Sequence, residues 1–168
     1  LVFAGSLLLT LSAKFQVPFY PVPMTLQPLV VLLLGVAFGS RLGLATVLFY
    51  LAQGAAGLPV FAGTPEKGIG LAYMVGPTGG YLLGFAVAAF VTGWLAERGF
   101  DRTRFGTLTA MGLGMAVIYA LGLLWLGVFV GYNANLLTLG FTPFILGDLL
   151  KVALATLSLP MLWSLLDR

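Results

Sequence analysis

Residues 24–57 have the sequence MTLQPLVVLLLGVAFGSRLGLATVLFYLAQGAAG, in which Arg41 is the only charged residue. A helix needs about 20 mainly apolar residues to cross a bilayer core of about 30 Å. Apolar stretches lie on both sides of Arg41, and we predict a membrane-spanning helix in each. The first runs from Met24 to Gly39 and is rather short, and the second runs from Leu42 to Gly57.

The rest of the chain has the same apolar character. Of its 168 residues, 60% are hydrophobic and only 8% are charged, whereas a soluble domain carries about 25% charged residues. We therefore predict an all-α integral membrane protein, with residues 1–168 forming one domain of six transmembrane helices. The other four predicted spans are Leu1–Val17, Pro77–Ala96, Phe105–Gly131 and Thr142–Leu166.

The missing residue types restrict the chemistry. The chain has no Cys and no His, which excludes disulfides, thiol nucleophiles and nearly all zinc chemistry. We expect neither a metal nor a cofactor. The net charge of +3 is small for a nucleic-acid-binding protein, and we attribute it to membrane topology.

The basic residues predict the orientation. If six spans alternate, five arginines fall on one side, and Lys14 and Lys67 fall on the other. Cytoplasmic loops are enriched in Lys and Arg, so we expect both termini in the cytoplasm. The outward side then carries three connectors, residues 18–23, Leu58–Gly76 and Tyr132–Gly140, and the long Gly-rich second one is a candidate binding loop or lid. The five arginines are Arg41, Arg98, Arg102, Arg104 and Arg168.

Two charged residues interrupt the last span. Asp148 lies about 9 Å into the predicted helix, at 1.5 Å per residue, and Lys151 lies on the same face because it follows at a spacing of three. Ionisable residues inside the membrane are costly and face a bundle interior or a wet cavity. One interpretation is a structural ion pair between helices. The other is a ligand pocket open to the outside.

Other polar residues are predicted at the outer ends of the spans. Each alone is more often a cap, a turn residue or an interfacial anchor than a ligand contact, but their common location favours a shared site. These candidates are Thr25, Gln27, Gln53, Tyr73, Thr78, Tyr81, Asn133 and Asn135.

Four motifs resemble the BioY family, the biotin-binding S components of energy-coupling factor (ECF) vitamin transporters. They are PVPMTLQPLVVLLLG (21–35), YLAQGAAGLPVFAG (50–63), GPTGGYLLGF (76–85) and GDLLK (147–151). The resemblance implies six helices and biotin bound beneath the first and third outward loops. It also implies that Asp148 and Lys151 contact the ureido ring, among Tyr and Phe residues that include Phe61.

The same resemblance implies transport across the plasma membrane of a prokaryote. Biotin would be captured from outside under closing loops and released inward, with an ECF coupling subunit and ATPase subunits as partners. The chain has no Walker motif, and GPTGG lacks the lysine of a P-loop, so the protein itself is not expected to be an enzyme. Small residues at intervals of four dock such partners, and this chain offers Gly5, Leu9 and Ala13, in which Leu9 interrupts the run.

Three alternatives stay open at this point. The chain could bind another vitamin within the same transporter group. It could be an intramembrane enzyme that uses Asp148 and Lys151 for proton transfer, although its spans hold no second acidic residue. It could also be a structural subunit, which would leave the buried charges unexplained. Glu66 and Lys67, in the long connector, are expected to be solvated.

Overall fold

The computed structural model describes residues 1–17, 24–64 and 68–166. Apart from one antiparallel pair of two-residue strands, β1 (Gln16–Val17) and β2 (Met24–Thr25), its regular structure is helical. A 3-10 turn at Phe100–Arg102 precedes the fifth α-helix. The α-helices are α1 (Val2–Lys14), α2 (Gln27–Ala55), α3 (Gly70–Met74), α4 (Gly79–Glu97), α5 (Arg104–Val130), α6 (Ala134–Gly140) and α7 (Thr142–Leu166).

The long helices have the length and composition of membrane spans. In the described part of the chain, α2, α4, α5 and α7 are long and apolar enough to cross a bilayer, and α1 is a shorter apolar helix of 13 residues. The protein is therefore an all-α, multi-pass membrane protein. The bounds of the predicted spans agree best with the observed helices at α4, α5 and α7.

Helix α2 is a hairpin rather than one straight rod. Gly39 has φ 84° and ψ 174° inside it, a conformation that glycine adopts without steric cost. A Cβ built on Gly43 would lie 3.1 Å from the Cα of Gly35, although eight residues of continuous helix span about 12 Å. The chain therefore reverses at Gly39, the boundary between the second and third predicted spans. We call residues 27–38 α2a and residues 40–55 α2b.

Polar contacts with α4 hold this reversal in place. The carboxylate of Glu97 accepts hydrogen bonds from the backbone N–H of Ser40 at 2.7 Å and from the Ser40 hydroxyl at 2.9 Å. Gly93 lets the backbones meet, because a Cβ there would lie 2.5 Å from the N of Ser40. The end of α4 thus satisfies a backbone donor that the turn leaves free.

Helix α4 is central and α7 is peripheral. In their most apolar stretches, 61% of α4 residues are buried, against 17% for α7. Small residues allow close backbone packing around α4, as at Gly84, where a Cβ would lie 2.9 Å from the Cα of Ile118. Helix α7 packs mainly on α5, so its inward-facing residues are few and its outer face is open.

Two predicted connectors contain short helices that the sequence analysis missed. Helix α3 lies within 58–76, and α6 lies within 132–140. The Asn133 side chain accepts a hydrogen bond from the N–H of Asn135 at 2.9 Å and so caps α6. The first outward connector (18–23), Glu66, Lys67 and Arg168 lie outside the described residues, so the predictions made for them are not addressed.

Candidate ligand-binding site

Helix α7 turns its two charged residues inward. Asp148 and Lys151 are 5% and 8% exposed, on a helix whose neighbouring leucines are largely exposed. The Lys151 ammonium donates to Oδ1 of Asp148 at 3.0 Å. The two side chains therefore lie on the same face of α7, one turn apart, as predicted.

Both charges have further partners on other elements. The Tyr119 hydroxyl, from α5, donates to Oδ2 of Asp148. Lys151 also donates to the backbone carbonyl of Thr25, in β2, at 2.7 Å. The pair thus joins α7, α5 and β2. Because a buried ion pair is tolerated only when its remaining hydrogen-bonding groups are satisfied, these partners explain how the charges persist inside an apolar bundle.

A cavity lies against this pair. It holds about 490 Å³ of space not occupied by atoms, including its open mouth. Its wall is mostly apolar and aromatic, and the charged pair lies in it. The lining residues are Thr25, Gln27, Pro28, Ala62, Thr78, Tyr81, Phe85, Ile118, Tyr119, Phe144, Asp148 and Lys151.

Six of the nine predicted binding residues line this cavity: Thr25, Gln27, Thr78, Tyr81, Asp148 and Lys151. The other three, Gln53, Phe61 and Tyr73, do not belong to its lining. Gln53 accepts a hydrogen bond from the Ser6 hydroxyl of α1. Its side chain is therefore committed to holding α1 against α2b.

Phe61 and Tyr73 lie behind the cavity wall. Their rings stack with centroids 4.9 Å apart, and the Tyr73 hydroxyl donates to the carbonyl of Ala62, a lining residue, at 2.8 Å. Burial raises the pKa of Tyr73 to about 12, so at neutral pH its hydroxyl keeps the proton it donates. Both rings support the wall without forming its surface.

The segment around Ala62 accepts hydrogen bonds from three helices, because Tyr50 of α2b and Lys14 of α1 donate to it in addition to Tyr73 of α3. Gln27 donates to the Tyr50 hydroxyl at 2.7 Å, and Tyr50 donates to the carbonyl of Val60 at 2.8 Å. Lys14 donates to the carbonyls of Phe61 and Thr64 at 3.1 and 3.0 Å. The wall contributed by residues 60–64 is therefore a preorganised surface.

Sequence analysis missed Tyr119 and five apolar lining residues. Tyr119 packs edge-on against Tyr81 and Phe141, with centroids 6.5 and 5.0 Å apart, and Tyr81 donates to the carbonyl of Gly140 at 2.6 Å. A tyrosine in the middle of a predicted span was a usable signal, because its hydroxyl needs a partner there. The missed apolar residues are Pro28, Ala62, Phe85, Ile118 and Phe144.

The residues predicted to dock a partner face the interior. Gly5, Leu9 and Ala13 are buried, and the carbonyl of Leu9 accepts a hydrogen bond from Gln27 at 3.2 Å. A Cβ on Gly5 would lie 3.0 Å from the ring of Phe38. The three residues therefore pack inside the helix bundle, and their role in docking a partner stays a prediction. Small residues at intervals of four allow close packing with any neighbour, and here the neighbour is α2.

Comparison with known proteins agrees with this architecture. A solved structure of the S component for biotin from an ECF-type ABC transporter superposes with a TM-score of 0.82, covering 97% of this chain and 88% of that one at 24% identity. It shows that the two share a fold.

Sequence relatives place the chain in a family. The biotin transporter BioY of Thermotoga maritima is 42% identical over 151 residues, covering 89% of this chain and 86% of that protein. The probable biotin transporter BioY of Pyrococcus horikoshii is 41% identical over 150 residues, with the same two coverages of 89% and 86%. The BioY family model matches residues 1–168, and the chain belongs to the BioY family.

Proposed function

We propose that this protein takes up biotin across the plasma membrane of a prokaryote and binds it in the cavity beside Asp148 and Lys151. Relatives of the family are named biotin transporters. The observation that carries the assignment to this cavity is the buried pair of opposite charges on its wall. The protein acts as a transporter subunit rather than as an enzyme.

The lining chemistry fits the parts of biotin. The ureido group has two N–H donors and one carbonyl, so a carboxylate and an ammonium are complementary to it. Asp148 would accept from the N–H groups, and Lys151 would donate to the carbonyl. The apolar thiophane ring would contact Phe85, Ile118 and Phe144.

Tyr119 and Lys151 orient the carboxylate for this role. They already donate to separate oxygens of Asp148, and an ionised carboxylate can accept about four hydrogen bonds. Ligand N–H groups therefore add to these bonds without displacing them. A carboxylate whose orientation is already fixed before the ligand binds loses little conformational entropy on binding.

The topology proposed for the chain has six crossings with both termini in the cytoplasm. The crossings are α1, α2a, α2b, α4, α5 and α7, and their alternation puts Arg41, Arg98, Arg102 and Arg104 on the cytoplasmic side. Thr25 and Thr78 precede helices that start at the opposite side. The cavity would then open outward.

Release of biotin into the cell would need partners that couple transport to ATP. An ECF coupling subunit and ATPase subunits would supply hydrolysis, and residues 1–168 would act as the single substrate-binding domain of that assembly. Of the nine predicted binding residues, Gln53, Phe61 and Tyr73 would act from behind the wall. The other six would contact the ligand or the residues that orient it.

A parallel titration tests this proposal. Purified protein in detergent is titrated by calorimetry with biotin, desthiobiotin, thiamine and riboflavin. We expect biotin to bind more tightly than thiamine and riboflavin, which differ from it in size and hydrogen-bonding pattern. Equal or tighter binding of another vitamin would overturn the specific assignment.

A further inference from the structure

A groove runs along the second half of α7, beginning at Leu154, three residues after Lys151. It holds about 920 Å³ of space, including its open side. Its floor is formed by exposed apolar side chains of α7 and two serines, and Arg104, the first residue of α5, stands at its rim. The lining residues are Arg104, Leu154, Leu157, Ser158, Pro160, Met161 and Ser164.

Among the described residues, Arg104 differs from its neighbouring arginines in having no hydrogen-bond or ion-pair partner. Arg98 lies 3.5 Å above the Trp94 ring and donates to the Trp94 carbonyl at 3.1 Å. Arg102 lies 3.7 Å above the ring of Trp163. Within residues 1–17, 24–64 and 68–166, no hydrogen bond or ion pair engages the Arg104 guanidinium, and the groove contains no other charged residue.

The serines leave acceptor oxygens at the groove surface. Ser164 donates its proton to the carbonyl of Met161 at 2.7 Å, and Ser158 donates to that of Ala155 at 3.5 Å. Each hydroxyl oxygen can still accept a hydrogen bond. The groove thus presents one cation and two hydroxyl acceptors among apolar side chains.

We propose that this groove binds one anionic phospholipid. Arg104 would contact the phosphodiester, because a guanidinium matches phosphate oxygens with two parallel N–H donors. Acyl chains would lie along Leu154, Leu157 and Met161. Hydroxyls of a glycerol head group would donate to the serine oxygens.

Charge complementarity favours a lipid over a protein partner or a second copy. An unpaired cation at the rim of an apolar groove has the two-part chemistry of a phospholipid, and basic pockets between transmembrane helices bind anionic head groups. The groove lies at the membrane end where α7 finishes, together with Arg98 and Arg102. Positively charged loops concentrate on the cytoplasmic side, whose leaflet is anionic.

Native mass spectrometry of the purified protein tests the proposal. The protein is mixed with phosphatidylglycerol or with phosphatidylcholine of the same acyl chains, and the retained lipids are counted without biotin. We expect preferential retention of one phosphatidylglycerol. Arg104→Gln should lower its retention about fivefold, the effect of one basic residue worth about 1 kcal/mol at a membrane surface, and Arg104→Lys should lower it less.

Arg98→Gln is the matched control, because it removes the same charge near the same membrane end but outside the groove. We expect it to leave phosphatidylglycerol retention unchanged. Equal retention of both lipids by the wild type, or equal losses in Arg104→Gln and Arg98→Gln, would overturn the proposal. A dimer peak abolished by Arg104→Gln would make a second copy the occupant and would also overturn it. Biotin titration of Arg104→Gln reports separately on the proposed transport site.

Discussion

Two buried aspartates link α7 to the α5 region at opposite ends of the described part of the chain, and they differ in that Asp148 lines the candidate ligand cavity and Asp101 does not. Asp148 pairs with Lys151 and accepts from Tyr119. Asp101, in the 3-10 turn before α5, is 2% exposed and accepts from the indole of Trp163 at 2.5 Å, while Arg102 covers the Trp163 ring.

Each carboxylate accepts from an aromatic donor, and the difference lies in the second oxygen and in the surroundings. Oδ1 of Asp148 accepts from Lys151, whereas the buried Oδ1 of Asp101 has no hydrogen-bond partner among the described residues. Asp148 also borders the open space of the cavity. A buried charge is therefore not enough to identify a ligand site. An adjoining cavity separates a binding carboxylate from an anchoring one.

The comparison predicts its largest effect at the Asp148 pair. Asp148→Asn and Lys151→Met should each weaken biotin binding at least tenfold, or about 1.4 kcal/mol, because each removes a charged partner of the ureido group. Isothermal titration calorimetry in detergent measures the affinity. Wild-type affinity in both variants would mean that the pair is only a structural link between helices.

A smaller effect on affinity is expected at Tyr119. Tyr119→Phe removes the hydroxyl that orients Asp148 and should weaken biotin binding about fivefold, corresponding to about 1 kcal/mol for one hydrogen bond. Tyr73→Phe is the matched control, since that hydroxyl lies behind the wall, and it should change affinity less than twofold. A larger affinity loss in Tyr73→Phe than in Tyr119→Phe would show that the residues assigned to the cavity wall are wrong.

At Asp101 we expect a loss of stability without a loss of affinity. Asp101→Asn weakens a charge-assisted bond to Trp163, and such bonds contribute about 1.5–3 kcal/mol. Its thermal unfolding midpoint should fall below that of the wild type, and the biotin affinity of the folded protein should stay within about twofold, because the site is remote. A tenfold affinity loss would contradict the contrast between the two aspartates.

The smallest effect on affinity is expected at Gln53. Its side chain accepts from Ser6 and does not line the cavity. Gln53→Ala should therefore bind biotin as the wild type does, with a modest decrease in unfolding temperature as α1 loses a contact. A clear loss of biotin affinity in Gln53→Ala would mean that the binding site extends to α2b when ligand is present.

Sequence patterns were sufficient for much of the fold. Long apolar runs predicted α4, α5 and α7, and the charge at Arg41 marked the reversal that the structure has at Gly39. The short helices α3 and α6 were not predicted, because a few apolar residues in a connector show little periodicity. Spacing also predicted that Asp148 and Lys151 share a face, since two side chains three residues apart on one helix are neighbours.

The remainder of the site depends on packing between distant segments. Gln53, Phe61 and Tyr73 have the residue types of a binding site, yet tertiary contacts turn them toward Ser6 and Ala62. Gly5 lies on a small-residue stripe that could face a partner or a neighbouring helix, and spacing alone does not distinguish the two. Apolar lining residues such as Ile118 look like any other residue of a span.

A structure of the protein with biotin bound, determined by crystallography, tests the central claim most directly. We predict the ureido ring in the cavity, with an N–H about 3 Å from the Asp148 carboxylate and the ring carbonyl near the Lys151 ammonium. Biotin bound elsewhere, with no contact to the Asp148–Lys151 pair, would contradict it.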